Sequence, residues 1–536
     1  MPPLHVLIAD ELSPRALDVF RAHPEIRAHV QTGMKPDELK RALKGVHALA
    51  VRSATKVTAD VLEAADALRV VGRAGIGVDN IDVKAASRRG VVVMNTPSGN
   101  AVTTAEHALC LLLSLARHIP QATASMRAGK WEKKRFEGTE LCEKTLGVLG
   151  LGNIGRIVAD RARGLKMRVV AFDPVTTEEA AAKLGVELVA LDEVFRRADF
   201  LTIHTPLTPD TRGLVGADAF RKMKEGVLIV NAARGGIVDE QALAHAIESG
   251  KVAGAALDVF VEEPPPRDHP LLKLEQVIAT PHLGASTEEA QEKVALEVAE
   301  QLVAFLLRNE VRNAVNLPPV SREAQARLAP FLELGGKVGA LASQLLSSTG
   351  NSLEAVEVEV VGEAAELGAT PIAAAAVAGL LRPHLDVPVN EVNALLLAGE
   401  RGLRVSEVKR PHGRDFTSSV SVRASGRGEA RQVKGAVFHT SEGLEPRVVE
   451  IDRFPLEVIP DGRILVLVNE DKPGVIGAVG TLLGGRGINV SRMQVGLDRQ
   501  KGEALQLWSI DGELDEAALA AVRAVAHVRS ATVVKL

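Results

Sequence analysis

An α/β protein of two doubly wound lobes, followed by an α+β unit and a small βαββαβ unit, is the fold class this sequence predicts. Three observations predict it. Strand and helix patterns alternate through the first 316 residues, as in a parallel sheet covered on both faces. The glycine hexamer GLGNIG, Gly150 to Gly155, follows a strand well inside the chain, so one doubly wound lobe is inserted into another. The character then changes near Leu317, where LPPV opens an alanine-rich segment.

The first lobe reads as strands LHVLIAD, HALAVRS, ALRVVGRAG and GVVVMNTP, short apolar runs bounded by glycine and proline. SPRALDVFRAH is a helix opened by Ser13 with Pro14 in its first turn. A long helix over residues 101–118 leads to the inserted lobe, whose strands are TLGVLGLG, MRVVAFD, FLTIHTP, GVLIVNAA, GAALDVF and QVIATPH. A helix over residues 287–309 returns to the first lobe. These readings place a first domain at 1–98 and 287–316, the inserted one at 99–286, an intervening one at 317–455 and a last one at 456–536. Within the intervening domain LEAVEVEVV, SSVSVRAS and VVEIDRF are strands and TPIAAAAVAGLLRP is a helix. The last domain runs RILVLVN, DKPGVIG, GINVSRMQVG, EALQLWSI, a helix and ATVVKL, the ferredoxin-like order.

At 536 residues the chain is too long for one core, and roughly three or four domains are expected. A net charge of −4 implies no general attraction to nucleic acid or membrane, so an anionic ligand needs only a local basic pocket. Two cysteines, Cys110 and Cys142, make no disulfide framework. Cys110, within ALCLLLSLA, reads as a buried inert thiol. The N-terminus reads as a first strand with no basic leader, and no run approaches the ~20 apolar residues of a membrane span. Cytoplasm is the expected compartment. Neither histidine pairs nor cysteines show metal-ligand spacing.

In the hexamer, Gly150 permits a tight turn, Gly152 lets the backbone approach a pyrophosphate, and Gly155 lets helix and strand close. Asn153 and Ile154 begin a helix whose free N–H groups attract phosphate. Asp173 ends the next strand, where a carboxylate accepts hydrogen bonds from a ribose diol and repels a 2′-phosphate. NAD is therefore expected over NADP.

Three strand ends of the inserted lobe carry charge: Arg234 in NAARGGIVDE, Glu263 in LDVFVEEPP and His282 in ATPHLGAS. A guanidinium can grip a carboxylate bidentately, a neutral imidazole can take a hydroxyl proton, and a carboxylate can orient that imidazole. Glu262 competes with Glu263 on spacing alone. Arg52 and Arg73, at strand ends of the first lobe, suit an anion more highly charged than a carboxylate, with phosphate leading. In KWEKKRFEG, Lys133 is either part of a solvated run or a contributor to a substrate pocket, within the chain or across a subunit contact.

GLGNIGR, HTPLTPDTRGL, NAARGGIVDE, GAALDVFVEEP and PHLGAS closely resemble the D-isomer-specific 2-hydroxyacid dehydrogenases. With VGRAGIGVDN, NTPSGN, GKWEKKRFEGTEL and the last domain, the layout resembles the long form of that family. The resemblance implies a flavodoxin-like substrate lobe, a Rossmann NAD lobe, an intervening domain and an ACT domain. It implies oxidation of 3-phosphoglycerate to 3-phosphohydroxypyruvate, the first step of phosphorylated L-serine synthesis, with Arg234, Glu263 and His282 as catalytic group. It adds Thr205, Ala232, Asp258 and Gly284 to the cofactor contacts and Asn100 to the substrate contacts. Asp471 and Asn489 match the family's serine site, and Asn469 stands where some members carry a ring residue. A cytoplasmic homotetramer is expected by the same analogy. A glyoxylate or hydroxypyruvate reductase and a non-catalytic NAD-sensing corepressor remain the alternatives.

Overall fold

The computed structural model describes residues 2–97, 99–318, 320–413, 416–441 and 443–536. Its first sheet contains β1 (Leu4–Ile8), β2 (Ile26–Val30), β3 (Ala48–Val51), β4 (Val70–Arg73) and β5 (Val92–Asn95). All are parallel, in the order β2-β1-β3-β4-β5, the doubly wound order of flavodoxins. Alternate side chains serve opposite faces. Val6, Ile8, Ala50 and Val70 pack under the helix Glu288–Arg308, whereas Leu7, Leu49, Val51 and Val71 pack under Leu39, Leu43 and Leu62. Gly72 allows the helix to close on β4, since a Cβ there would stand 2.6 Å from Val298 Cγ2. The edge strand β2, IRAHV, is absent from the sequence reading because only Ile26 of it is buried.

The inserted sheet contains β6 (Thr145–Leu149), β7 (Arg168–Phe172), β8 (Glu187–Leu188), β9 (Phe200–Ile203), β10 (Val227–Asn231), β11 (Val252–Leu257) and β12 (Val277–Ala279). It is parallel throughout, ordered β12-β11-β10-β9-β6-β7-β8. The order reverses beside β6, the position at which a Rossmann sheet opens its crevice. Six of these strands are those expected; the two-residue β8 is additional. Helices Ala101–Ala116 and Asn153–Gly164 cover one face, and Glu240–Glu248 covers the other. Cys110 corrects the reading of a buried thiol. It is exposed, because the helical period of Ala101–Ala116 turns it outward with Val102 and Leu113.

The third sheet, β13 (Ala355–Gly362), β14 (Arg404–Arg410), β15 (Ser418–Gly426), β16 (Glu429–Thr440), β17 (Gly443–Ile451) and β18 (Phe454–Val458), is ordered β14-β13-β15-β16-β17-β18. Helices Arg322–Ser347 and Glu363–Leu381 pack on it. They approach at their small residues: a Cβ on Gly339 would meet Ala376 O at 2.0 Å, and one on Gly379 would meet Gly336 O at 1.9 Å. Residues 363–384 are long and apolar enough to cross a membrane, yet 67% of their most apolar window is buried inside the protein. β18 bonds to β17, so residues 456–458 lie with this sheet, past the point where composition set the boundary.

The last sheet, β19 (Arg463–Glu470), β20 (Asn489–Asp498), β21 (Glu503–Asp511) and β22 (Val528–Lys535), is antiparallel and ordered β20-β21-β19-β22. Leu465 and Leu467 face the helices Val475–Gly484 and Glu516–Arg523. Ile464 and Val466 face the opposite way, into the core of the third sheet. The last two units therefore share one apolar interior.

Leu302 is fully buried between the returning helix and the first sheet. Leu302→Ala is expected to cost about 2–5 kcal/mol, read as a lower melting temperature with the far-UV spectrum retained. An unchanged melting temperature would remove that helix from the first lobe's core.

Candidate active site

Each charged side chain at the cleft sits on a loop whose shape is set by buried neighbours. Arg234 leaves β10 through a turn pinned by Asn231, which is 2% exposed. Asn231 donates to Arg234 O at 3.0 Å and accepts from Ala233 N at 3.1 Å. Gly235 lets this turn lie on the next one, because a Cβ there would stand 1.9 Å from Phe260 O. Glu263 follows on that neighbouring loop, held as Oε1 accepts from Phe260 N at 3.1 Å.

His282 faces Glu263, with Nδ1 2.7 Å from Oε2. A carboxylate only accepts, so Nδ1 carries the proton and Nε2 is left as a base. Glu262 has no such contact. Burial raises the Glu263 pKa, but the His282 hydrogen bond, the Phe260 N–H and the charge of Arg234 outweigh it and hold the group below its usual range. Glu263 therefore stays a carboxylate acceptor for the imidazole N–H at neutral pH, and that hydrogen bond is lost as acid protonates Glu263. His282 itself has a φ of +55°, a left-handed backbone that costs an ordinary residue about 1–3 kcal/mol. Asp258, 1% exposed, holds it there. Its carboxylate accepts from Leu283 N at 2.7 Å and Gly284 N at 2.8 Å, and its carbonyl accepts from His282 N at 3.0 Å.

On the opposite wall Arg52 follows β3 and Arg73 ends β4. Arg73 is pushed down to about 10 by burial first, then by Arg234 and Arg52, while Asp79 and Asp10 oppose the shift. Its Nε is buried with no hydrogen-bond partner. Arg234 and Arg52 thus lie within charge reach of Arg73, and Arg234 within charge reach of Glu263; Arg52 O is held by Asn80, next to the Asp79 that holds Arg234. Asn100 stands at the head of the helix Ala101–Ala116, 8% exposed, its Oδ1 buried without a partner.

Lys133 stands apart from this group. It is exposed on the short turn Lys133–Phe136, which Arg135 ties to Glu275. Glu275 precedes β12 whereas His282 follows it, so within one chain Lys133 stands at the sheet edge opposite the cleft. Asp471 and Asn489 are separated in the same way. β19 and β20 both run antiparallel to β21, with Glu470 opposite Glu503 and Asn489 opposite Asp511. The two residues stand at opposite ends of one sheet, about 27 Å apart at ~3.4 Å per residue, and cannot share a small ligand within one chain. Asn469 is locked in the interior, accepting from Gln506, which accepts from Trp508.

The glycine turn fits a dinucleotide. Gly150 has a φ of +91°, a Cβ on Gly155 would meet Gly150 O at 1.9 Å, and a Cβ on Gly152 would meet nothing within 4 Å. The open space lies where the backbone must admit a pyrophosphate. Asn153 reaches Pro97 O at 3.3 Å across the lobes, and Ile154 packs into the core beneath. Thr205 Oγ1 is buried without a partner, and Ala232 is buried at the end of β10. Asp173 accepts from Leu151 N at 2.8 Å and from Val175 and Thr176 N at 2.9 Å each, which keeps it ionised at the ribose position.

Two contributors escaped the sequence reading. His107 donates toward Asp258 at 3.1 Å and Asp79 accepts from Arg234 Nε at 2.9 Å. A histidine on the apolar stripe of its helix was the available signal for the first. For the second it was an acid within VGRAGIGVDN. Asp173→Ser is expected to narrow the preference for NAD over NADP by about tenfold or more, measured as the ratio of kcat/KM for the two; an unchanged ratio would remove Asp173 from the ribose site.

Residues 109–284 match the family described as D-isomer specific 2-hydroxyacid dehydrogenase, NAD binding domain. Residues 327–452 match the D-3-phosphoglycerate dehydrogenase intervening domain, and 463–527 match the ACT domain. A D-3-phosphoglycerate dehydrogenase of Synechocystis is 42% identical over 532 residues, 99% of this chain and 94% of the relative. One of Archaeoglobus fulgidus is 44% identical over 504 residues, 94% of each. Among solved structures, a glyoxylate reductase of Paecilomyes thermophila matches with a TM-score of 0.55 and 29% identity, over 59% of this chain and 99% of that one. A Staphylococcus aureus NAD-dependent formate dehydrogenase in complex with NAD matches with a TM-score of 0.53 and 28% identity, over 59% and 99%. The cofactor is NAD, and the chain belongs to the D-3-phosphoglycerate dehydrogenases, within the D-isomer-specific 2-hydroxyacid dehydrogenase family.

Proposed function

We propose that this enzyme oxidises 3-phospho-D-glycerate to 3-phosphohydroxypyruvate, the entry to phosphorylated serine synthesis, with the roles below. The observation that carries the reading is the convergence of Arg52, Arg73 and Arg234 beside the His282–Glu263 pair. Three cations match a substrate that bears a carboxylate and a phosphate, and the full-length relatives carry the same name.

Arg234 grips the substrate carboxylate and polarises the adjoining C–O group. Arg52 and Arg73 hold the phosphate, with Asn100 at the rim. His282 Nε2 takes the hydroxyl proton, while Glu263 keeps Nδ1 protonated and stabilises the imidazolium that forms. NAD, when bound, accepts the hydride from the same carbon. Gly150, Gly152, Asn153, Ile154 and Gly155 would hold its pyrophosphate, Asp173 its ribose, and Thr205, Ala232, Asp258 and Gly284 would line the segment toward the nicotinamide.

The last domain is the place for L-serine in this reading. The separation of Asp471 from Asn489 means that two copies, paired about a two-fold axis along the open edge of β20, would supply the two residues to one ligand. A cytoplasmic homotetramer accommodates such pairs, and in it Lys133 can reach a neighbouring subunit's cleft. Analytical ultracentrifugation with and without serine tests the assembly; a monomer at all concentrations would overturn it.

His282→Ala should lower kcat by roughly 10²–10⁴ with NAD binding retained; wild-type turnover would end its role as acid–base group. Folding disfavours the charged form of Arg73, a cost present at neutral pH and lost only as pH rises through about 10. Arg73→Met should therefore keep or raise the melting temperature while raising KM for 3-phosphoglycerate roughly 10–100-fold. Unchanged KM would take Arg73 out of the phosphate pocket. A substrate panel with and without phosphate tests the whole reading: turnover of glyoxylate alone would replace it.

A further inference from the structure

Arg234 is not free in the cleft. Its Nε donates to Asp79 Oδ2 at 2.9 Å, and its Nη1 donates to Ala233 O at 2.7 Å. Its Nη2 rides over Gly77, where a Cβ would stand 1.7 Å from that nitrogen and 2.7 Å from Asp79 Oδ2. The missing side chain of Gly77 is thus what gives the pair its room. Arg234 follows β10 of the inserted lobe, whereas Asp79 lies just past β4 of the first. The ion pair crosses the cleft.

We propose that Asp79 is a positioning residue of the reaction: it clamps the inner edge of Arg234, so that the outer edge is aimed at the substrate carboxylate before substrate arrives. The proposal rests on the reading of Arg234 as the carboxylate grip. Of the five guanidinium N–H groups, the clamp occupies Nε–H and the backbone bond one Nη1–H, which leaves the second Nη1–H and both Nη2–H for the substrate. Asp79 also supplies a negative charge among Arg52, Arg73 and Arg234, and opposes the fall that the other two arginines impose on Arg73. The side chain of Asp79 is 62% exposed and that of Arg234 is 27% exposed. A pair so open to water adds little to stability, so its effect is on orientation.

The full-length enzyme with Asp79→Ala and Asp79→Asn separates orientation from charge. Asparagine keeps an acceptor for Nε and loses the charge; alanine loses both. Orientation predicts that Asp79→Ala lowers kcat about tenfold or more with a smaller change in KM for 3-phosphoglycerate, and that Asp79→Asn restores most of kcat. Equal behaviour of the two variants, or kcat unchanged in Asp79→Ala, overturns the proposal. A lower KM in both, with kcat kept, would mean that Asp79 acts only as a charge. NAD binding by fluorescence and the melting temperature should stay at wild-type values, since the residue is exposed and its contact is with Arg234, outside the glycine turn. Arg234→Ala is assayed alongside. Full activity there sinks the reading of the site itself, whereas a crippled Arg234→Ala beside an untouched Asp79→Ala sinks only the positioning role.

Discussion

One buried carboxylate organises the catalytic edge of this protein. Asp258 ends the run out of β11 and gathers the backbone N–H groups of Leu283 and Gly284, the Thr280 hydroxyl and the His107 imidazole. Burial disfavours its charge, but that set of donors more than offsets the penalty and holds its pKa low. An ionised group satisfied on every side cannot move without leaving donors unpaired. The loop it holds carries His282 in a left-handed conformation, so the imidazole is turned to Glu263 by a backbone strain that the surroundings over-determine.

Across the cleft the balance is reversed. Burial lowers the proton affinity of Arg73, the nearby charges of Arg234 and Arg52 lower it further, and Asp79 and Asp10 compensate in part. This wall is costly to hold together without an anion, the usual condition of a preorganised binding site. The lobes that carry the two walls are joined by the helices Ala101–Ala116 and Glu288–Arg308 and by the ion pair of Asp79 with Arg234. The same ion pair thus bridges the two lobes and holds the Arg234 guanidinium.

The two C-terminal units are mechanically continuous. Ile464, Val466, Leu505 and Leu507 of the last sheet lie in the same apolar cluster as the helices Arg322–Ser347 and Glu363–Leu381, and Gln344 bonds to the backbone of Lys535. The alanine and glycine content that made this region featureless as sequence is what lets the two helices touch backbone to backbone.

Local pattern alone was enough for the glycine turn, six strands of the inserted sheet and the charged residues at three strand ends, because each rests on short-range spacing that folding does not rearrange. It was also enough for the helix Glu288–Arg308, whose cap Thr287 accepts from Ala290 N at 3.2 Å. Edge strands such as β2 and β8 carried too little buried surface to announce themselves. Spacing alone left Glu262 level with Glu263; the tertiary structure gives the His282 contact to Glu263 and turns Cys110 to solvent. It alone placed Lys133 at the edge opposite the cleft of its own chain, and set Asp471 and Asn489 at opposite ends of one sheet. These outcomes depend on which residues far apart in the chain come within ~3 Å of one another, and spacing along a sequence holds no record of that distance.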